Sequence, residues 1–200
     1  VDMRRMNRIL WIDKENFRAC VEAGIRGMDL EDQLNREGFT CGHEPDSIEL
    51  STLGGWIATK ASGMKKNRYG NIEHLVEQLT LVTPGGVVGN LHPFPRTSQG
   101  IEPELLAFGS EGNLGIITKA VIKLFPKPEV TKYGSLVFPT FELGVQFLEE
   151  LAHTDFIPAS IRLVDNIQFK FALALKGLSS GFQEAKEALE KLIVTKLLGF

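Results

Sequence analysis

The sequence predicts an α+β fold, and three observations carry that prediction. Short runs with alternating apolar residues recur along the chain, as in RILWID (8–13) and GIITKAVIKLF (115–125). Between them lie stretches with the apolar spacing of helices, as in DLEDQLNREG (29–38) and TFELGVQFLEELAHT (140–154). The two kinds of element do not alternate in the regular βαβ rhythm that builds a parallel sheet.

In chain order, RILWID reads as a first strand and FRACVEAGI (17–25) as a second. DLEDQLNREG follows as a short helix with Leu30 and Leu34 on one face, Asp29 or Asp32 as its cap and Gly38 at the C′ position. TLGGWIATKASG (52–63) reads as a helix started by glycine. IEHLVEQLTLVTPGGVV (72–88) gives a strand pair joined at the turn signal TPGG. PELLAFGSEG (103–112) is a short helix, GIITKAVIKLF a strand, and PKPE (126–129) the best domain boundary. Beyond it, YGSLVFPTF (133–141) and PASIRLVDN (158–166) read as strands. TFELGVQFLEELAHT reads as a capped helix, and FQEAKEALEKLIVTKLLG (182–199) as a strong amphipathic helix.

The chain has 200 residues, 43% of them hydrophobic and 24% charged, which is enough apolar chain to bury a core. A net charge of −3 gives no basic field that would point to nucleic acid. Two cysteines, Cys20 and Cys41, are too few for a disulfide scaffold and suit a reducing compartment. No Cys-x₂-Cys pair suggests a structural zinc site, and His74, His92 and His153 have no spacing that suggests a metal. No apolar run approaches the length of about 18 residues needed to span a membrane. The opening without Met and the ending inside an apolar pattern make the chain read as a piece of a longer protein.

Two stretches give up side chains for backbone freedom. FGSEGNLGIITKAVIKLFPKP (108–128) carries Gly109, Gly112 and Gly115 just before a strand, and STLGGWIATKASG (51–63) is similarly thinned. A Gly-rich segment at a helix start presents backbone N–H groups to a phosphate. Ser51, Thr52, Thr59 and Ser62 add hydroxyls at the same place. Neither stretch matches the dinucleotide fingerprint or the P-loop, so glycine content alone favours tight turns in a packed domain. Lys60, Lys65, Lys66 and Arg68 form a basic cluster that reads equally as a solvated loop or as charge support for an anion. On pattern alone Arg162 reads as an exposed salt-bridging residue of a strand, His43 as a loop residue near the site with a direct role as the alternative, and Trp11 and Trp56 as core. Asp165 reads as an ion-pair partner or a turn cap.

Taken together, GHEPDSIELSTLGGWIATKASGMKKNRYGNIEHLVEQLTLVTPGG (42–86), GSEGNLGIITKAVIKLFPKPE (109–129) and PASIRLVDN resemble the alkyldihydroxyacetonephosphate synthases. These are flavin enzymes of the vanillyl-alcohol-oxidase type, with a PCMH-type FAD-binding domain. The resemblance runs to about Gly177. HEPDS, ASGMKKN and PASIRL are specific to the synthases, whereas GSEGNLGIIT is shared across the wider FAD family. The resemblance implies that residues 1–127 are the second part of the FAD-binding domain, without its upstream pyrophosphate loop. Residues 128–200 would begin the cap domain. It assigns FAD contacts to three segments. The first is Asp46, Ser47, Ile48, Glu49, Leu50, Ser51 and Thr52. The second is Thr59, Lys60, Ala61 and Ser62. The third is Glu111, Gly112, Asn113, Leu114, Gly115, Ile116 and Ile117. Asn113 stands where family members often have Thr.

The resemblance also makes Arg162 the catalytic residue, placed near the flavin ring. The implied substrates are acyl-dihydroxyacetone phosphate and a long-chain fatty alcohol. The implied setting is the peroxisome, with a homodimer and membrane contact through segments outside this chain. The family's acid/base tyrosine and its His-rich motif lie downstream, and Tyr69 and Tyr133 take no role from it. An FAD-dependent 2-hydroxy-acid oxidoreductase on the same fold and a catalytically incomplete flavin-fold module are the rival readings.

Overall fold

A computed structural model describes residues 1–89, 98, 100 and 102–175. The helix expected over 182–199 lies outside them. The chain divides into two compact units. The first comprises Val1–Thr131 with Pro158–Ser160, and the second Lys132–Ile157 with the residues from Ile161 onward.

The first unit is built on a five-stranded sheet. Its strands are β1 (Ile9–Asp13), β2 (Arg18–Glu22), β4 (Val76–Thr83), β5 (Gly86–Val88) and β6 (Ile116–Lys123), in the order β1-β2-β6-β4-β5. Every pairing is antiparallel, as the missing βαβ rhythm implied. A two-stranded ribbon pairs β3 (Phe39–Thr40) with β7 (Phe125–Pro126). The register sets Val21 beside Ala120 and Ala19 beside Ile122, with Leu79 opposite Ala120 on the other side. Period-2 alternation turns these residues to one face, where Ala19, Val21, Leu79, Ala120 and Ile122 are buried.

Helices α1 (Gly27–Arg36) and α2 (Leu53–Ala58) close that core with Leu30, Leu34, Leu53, Trp56 and Ile57. Two single-turn helices, α3 (Lys66–Tyr69) and α4 (Ile72–Leu75), lead into β4. The expected helix over 103–112 shortens to a 3₁₀ turn over Pro103–Ala107. The expected cap of α1 is corrected. Its N-cap is Arg26, without a side-chain cap bond, and Asp29 lies inside the first turn, paired with Arg26 at 2.8 Å. Gly38 does take the left-handed conformation that ends a helix, with φ +84°. Trp11, expected in the core, is 39% exposed on β1, whereas Trp56 is buried.

The second unit holds α5 (Phe141–Ala152) and α6 (Asn166–Leu175). Thr140 caps α5 by accepting from the Leu143 N–H at 3.3 Å, and Asp165 caps α6 by accepting from the Gln168 N–H at 2.7 Å. Gly144 lets α5 approach Leu163; a Cβ there would sit 2.7 Å from Leu163 Cδ1. The two strands expected at 133–141 and 158–166 do not form: 132–138 and 161–165 have no regular secondary structure. Alternation supplies a face, but a strand also needs a neighbour to receive its N–H and C=O groups. Tyr133, Leu136 and Val137 are exposed instead.

Candidate cofactor site

The site is organised by α2 and the segments at its two ends. At its start, residues 46–50 form a turn in which the Ile48 N–H donates to the Pro45 carbonyl and the Leu50 and Ser51 N–H groups donate to Ser47. The turn is fastened to the first residues of α1. Met28 N–H donates to the Ile48 carbonyl at 3.2 Å, and Gly27 N–H to the Ser51 carbonyl at 3.0 Å. Gly27 has no room for a side chain, since a Cβ would lie 2.5 Å from the Trp56 ring and 2.6 Å from Ile48. Thr52 pairs with Arg26 in an isolated β-bridge, and its hydroxyl accepts from Gly55 N–H at 3.2 Å to cap α2.

These contacts correct the idea that the Gly-started helix offers its N–H groups to a phosphate. Leu53 N–H donates to the Ile25 carbonyl, Gly54 N–H to Ala23 and Gly55 N–H to Thr52. The glycines serve close packing: a Cβ on Gly54 would stand 3.0 Å from the Ala23 Cβ.

At the far end of α2 the second and third segments meet. Gly109 N–H donates to the Ile57 carbonyl at 3.2 Å and Glu111 N–H to the Ala58 carbonyl at 2.9 Å. Each segment carries a non-glycine residue in the left-handed region, Lys60 and Glu111, both with φ +50°. Such residues cost free energy and gather where function demands a particular backbone path. Thr59 donates its hydroxyl to the Gly55 carbonyl, Ala61 N–H donates to Trp56, and the Ser62 hydroxyl donates to Asn71 Oδ1 at 3.1 Å. Of the basic cluster, Lys65 pairs with Glu44, while Lys60, Lys66 and Arg68 are exposed.

The three glycines before β6 have different reasons. Gly109 and Gly112 have φ of +73° and +80°, and no atom lies within 4 Å of where a Gly112 Cβ would be. Gly115 instead lets β6 approach β4, because a Cβ would sit 2.4 Å from the Val82 carbonyl oxygen. Ile116 and Ile117 are ladder residues opposite Val82 and Leu81, and the Ile117 side chain is spent in the core. Glu111, Gly112, Asn113 and Leu114 are exposed. Arg162 belongs to the second unit, in the irregular stretch before α6. The cluster described above is made by the first unit alone.

Behind the 46–52 turn stands a wall of rings. Trp56 donates its indole N–H to the Ser51 hydroxyl at 2.7 Å, and the hydroxyl donates in turn to the Ser47 carbonyl. His43 packs edge-on against Trp56 with ring centroids 4.8 Å apart. It is 1% exposed, and neither ring nitrogen has a hydrogen-bond partner among the described residues. Burial pushes its pKa down to about 4, against a smaller opposing pull from Glu73, so the ring is neutral at pH 7. Gly63 makes room for it; a Cβ there would be 2.9 Å from His43 Nδ1.

An amphipathic dinucleotide suits this surface. Leu50, before α2, and Leu114, in the third segment, are 81% and 46% exposed and offer apolar surface, while Ser47, Thr59 and Ser62 are exposed and carry hydroxyls. The buried, unpartnered imidazole of His43 has a standing demand for a polar atom, worth about 1–3 kcal/mol when unmet.

Residues 1–91 match the FAD binding domain family, and residues 127–193 match the C-terminal domain of FAD linked oxidases. The chain belongs to this family of FAD-linked flavoproteins. Within it, the similarity lies with the alkyldihydroxyacetonephosphate synthases. The Caenorhabditis elegans synthase is 51% identical over 100% of this chain and 34% of its own length. That of Dictyostelium discoideum is 40% identical over 96% of this chain and 31% of its own. A solved alkyldihydroxyacetonephosphate synthase structure superposes with a TM-score of 0.82 at 39% identity, covering 96% of this chain and 34% of that one. The chain thus spans about a third of the length of the relatives it matches. FAD is the cofactor of this fold.

The sequence reading missed the parts of the site that act from behind it: Gly27 and Met28, which hold the turn, and Glu31, which holds the loop leading to it. Gly27 left a signal as a glycine at a helix start. Glu31 left none, since a glutamate inside a helix reads as solvated.

Proposed function

We propose that the whole protein is an alkylglycerone-phosphate synthase. It exchanges the acyl group of acyl-dihydroxyacetone phosphate for a long-chain fatty alcohol, as a transferase of ether-lipid synthesis in the peroxisome. The observation that carries this reading is 51% identity along the entire chain to a synthase, spanning segments that gather around α2. On this reading residues 1–127 are the C-terminal part of the FAD-binding domain, and 128–200 begin the cap.

Segments Asp46–Thr52, Thr59–Ser62 and Glu111–Ile117 hold FAD. Bound there, FAD supplies the chemistry by which the substituent on the dihydroxyacetone-phosphate carbon is exchanged without net redox change. The chain's own residues position it. The Ser47, Thr59 and Ser62 hydroxyls orient its polar portion, Leu50 and Leu114 exclude water from its apolar portion, and Lys60 supplies charge for its pyrophosphate. Arg162 is the catalytic residue. A guanidinium is a planar fork of donors, which suits an oxyanion or a flavin ring.

The test is alkyl-ether formation from acyl-dihydroxyacetone phosphate and a fatty alcohol, with bound FAD measured alongside, for wild type and Arg162→Lys. Oriented donation predicts a loss on the order of 10²–10³-fold with FAD retained. Near-normal turnover with normal FAD returns Arg162 to a structural role. Loss of FAD with activity makes it a cofactor-binding residue. Flavin reduction by a 2-hydroxy acid, with no ether formed, favours the oxidoreductase reading, which GSEGNLGIIT fits equally well.

A further inference from the structure

We infer that Glu31 is a positioning residue for the cofactor segment 46–52, acting through the turn at 40–42. The inference rests on the FAD reading of that segment. The Glu31 carboxylate receives four donors from one short stretch of chain. Its Oε2 accepts from the Thr40 hydroxyl at 2.8 Å. Its Oε1 accepts from the Cys41 N–H at 3.0 Å, the Cys41 thiol at 2.9 Å and the Gly42 N–H at 3.3 Å. Glu37, just past the end of the same helix, makes an ordinary surface pair with Lys14.

The turn that Glu31 holds has no slack. Gly42 sits at φ +70° with the Tyr69 ring 2.3 Å from where a Cβ would be, and its N–H is shared with the Thr40 hydroxyl at 2.9 Å. His43 follows at once, buried against Trp56. Glu44 is then fastened to the stretch that follows the second segment, through its side chain to Lys65 and through its carbonyl to Met64 N–H at 2.8 Å. The chain next enters the 46–50 turn and returns to α1, where Met28 and Gly27 bind Ile48 and Ser51.

Both ends of the 40–51 loop therefore hang from one helix, at residues 27–28 and at residue 31. A rigid rod gripping a polar loop at two points fixes the path between them, which is the requirement for a preorganised site. Helix α1 does not need the Glu31 bonds to dock, since Leu30 and Leu34 are already fully buried. What the four bonds order is the loop.

The geometry also separates shape from charge. In Glu31→Gln the amide oxygen takes the three donors on Oε1, and the NH₂ meets the Thr40 hydroxyl, which has lone pairs to accept, so that only the long bond from Asn35 Nδ2 at 3.5 Å, within α1 itself, is lost. Glu31→Asp keeps the charge but is one methylene too short to reach the turn. Positioning therefore predicts that Gln rescues and Asp does not.

The experiment uses the full-length protein, stripped of flavin and titrated with FAD by flavin fluorescence, with thermal stability measured on each variant. Ile122→Val, a core change in β6 outside the loop, is the control for general destabilisation. The expected result is a Kd for FAD raised about tenfold or more in Glu31→Ala and Glu31→Asp. Glu31→Gln is expected within about threefold of wild type, and Ile122→Val unchanged. FAD affinity in Glu31→Ala equal to wild type, or lowered no more than in Ile122→Val, overturns the inference. So does rescue by Asp with failure of Gln. A wild-type protein that takes up no FAD overturns the flavin reading and this inference with it. A wild-type protein that does, with Glu31→Ala no worse, overturns this inference alone.

Discussion

The described residues of the first unit close a core and those of the second do not, although both are rich in apolar residues. In the first, Ile25, Leu30, Leu34, Ile57 and Val21 are completely buried and Trp56 is 2% exposed. In the second, Phe156, Ile167 and Phe171 are 87%, 78% and 65% exposed, and among the residues whose burial is described Gly144 alone is buried. The difference teaches that local signals suffice to make a helix but not to bury it. Thr140 and Asp165 cap α5 and α6 by the rules that govern any helix start, while burial waits on a partner surface. The segments proposed to hold FAD stand on the unit whose described residues close a core, where rigid elements can hold them.

The sharpest way to break this contrast is a pair of truncations. Trp56→Ala should cost about 3–5 kcal/mol in chemical denaturation of the whole protein, since it empties a core site and strips Ser51 of its donor. Phe156→Ala should stay within about 0.5 kcal/mol. Equal losses would mean that the second unit has a core of its own.

The next effect is a pH dependence confined to the first unit. His43 has a folded pKa of about 4 against an ordinary value of 6.5, so below pH 6.5 the unfolded chain binds more protons than the folded one. Stability is therefore full above pH 6.5 and falls as pH drops toward 4, by a total on the order of 3 kcal/mol. Denaturation midpoints at pH 7 and pH 5 for wild type and His43→Phe check this; the variant should show a flatter profile.

A smaller effect separates two glycines. Neither Gly112 nor Gly134 has an atom within 4 Å of a built Cβ, but only Gly112 has a positive φ, +80°. Gly112→Val should weaken FAD binding about tenfold, through backbone strain of about 1–3 kcal/mol at a cofactor segment. Gly134→Val should change neither FAD content nor melting temperature. Unchanged FAD in both would make Gly112 an ordinary turn residue.

The smallest effect concerns Asp29. Half-exposed and paired with Arg26, it should lose no more than about 0.5 kcal/mol on change to Ala. A loss near 1 kcal/mol would restore it as a helix cap.

What could be read from the chain, and what could not, divides along the same line. Strands β1, β2 and β6 were legible because alternation in RILWID, FRACVEAGI and GIITKAVIKLF reports a real buried face. YGSLVFPTF and PASIRLVDN alternate too, but pairing is a long-range event that no short stretch encodes. The three segments proposed to hold the flavin were picked out by resemblance. Their junction was not, since it depends on Gly109 and Glu111 finding the carbonyls of Ile57 and Ala58 some fifty residues away. Glycine content misled as well: Gly54 and Gly115 make room for the protein's own backbone.

The most direct test of the account is the cofactor itself. The whole protein should purify yellow, and acid precipitation should release its FAD into the supernatant. Cys20 and Cys41 are both buried, and burial raises their thiol pKa values, which makes them poor anchors for a covalent flavin. Free FAD in stoichiometric amount is the predicted result, and a colourless native protein would contradict the reading of the first unit as a flavin scaffold.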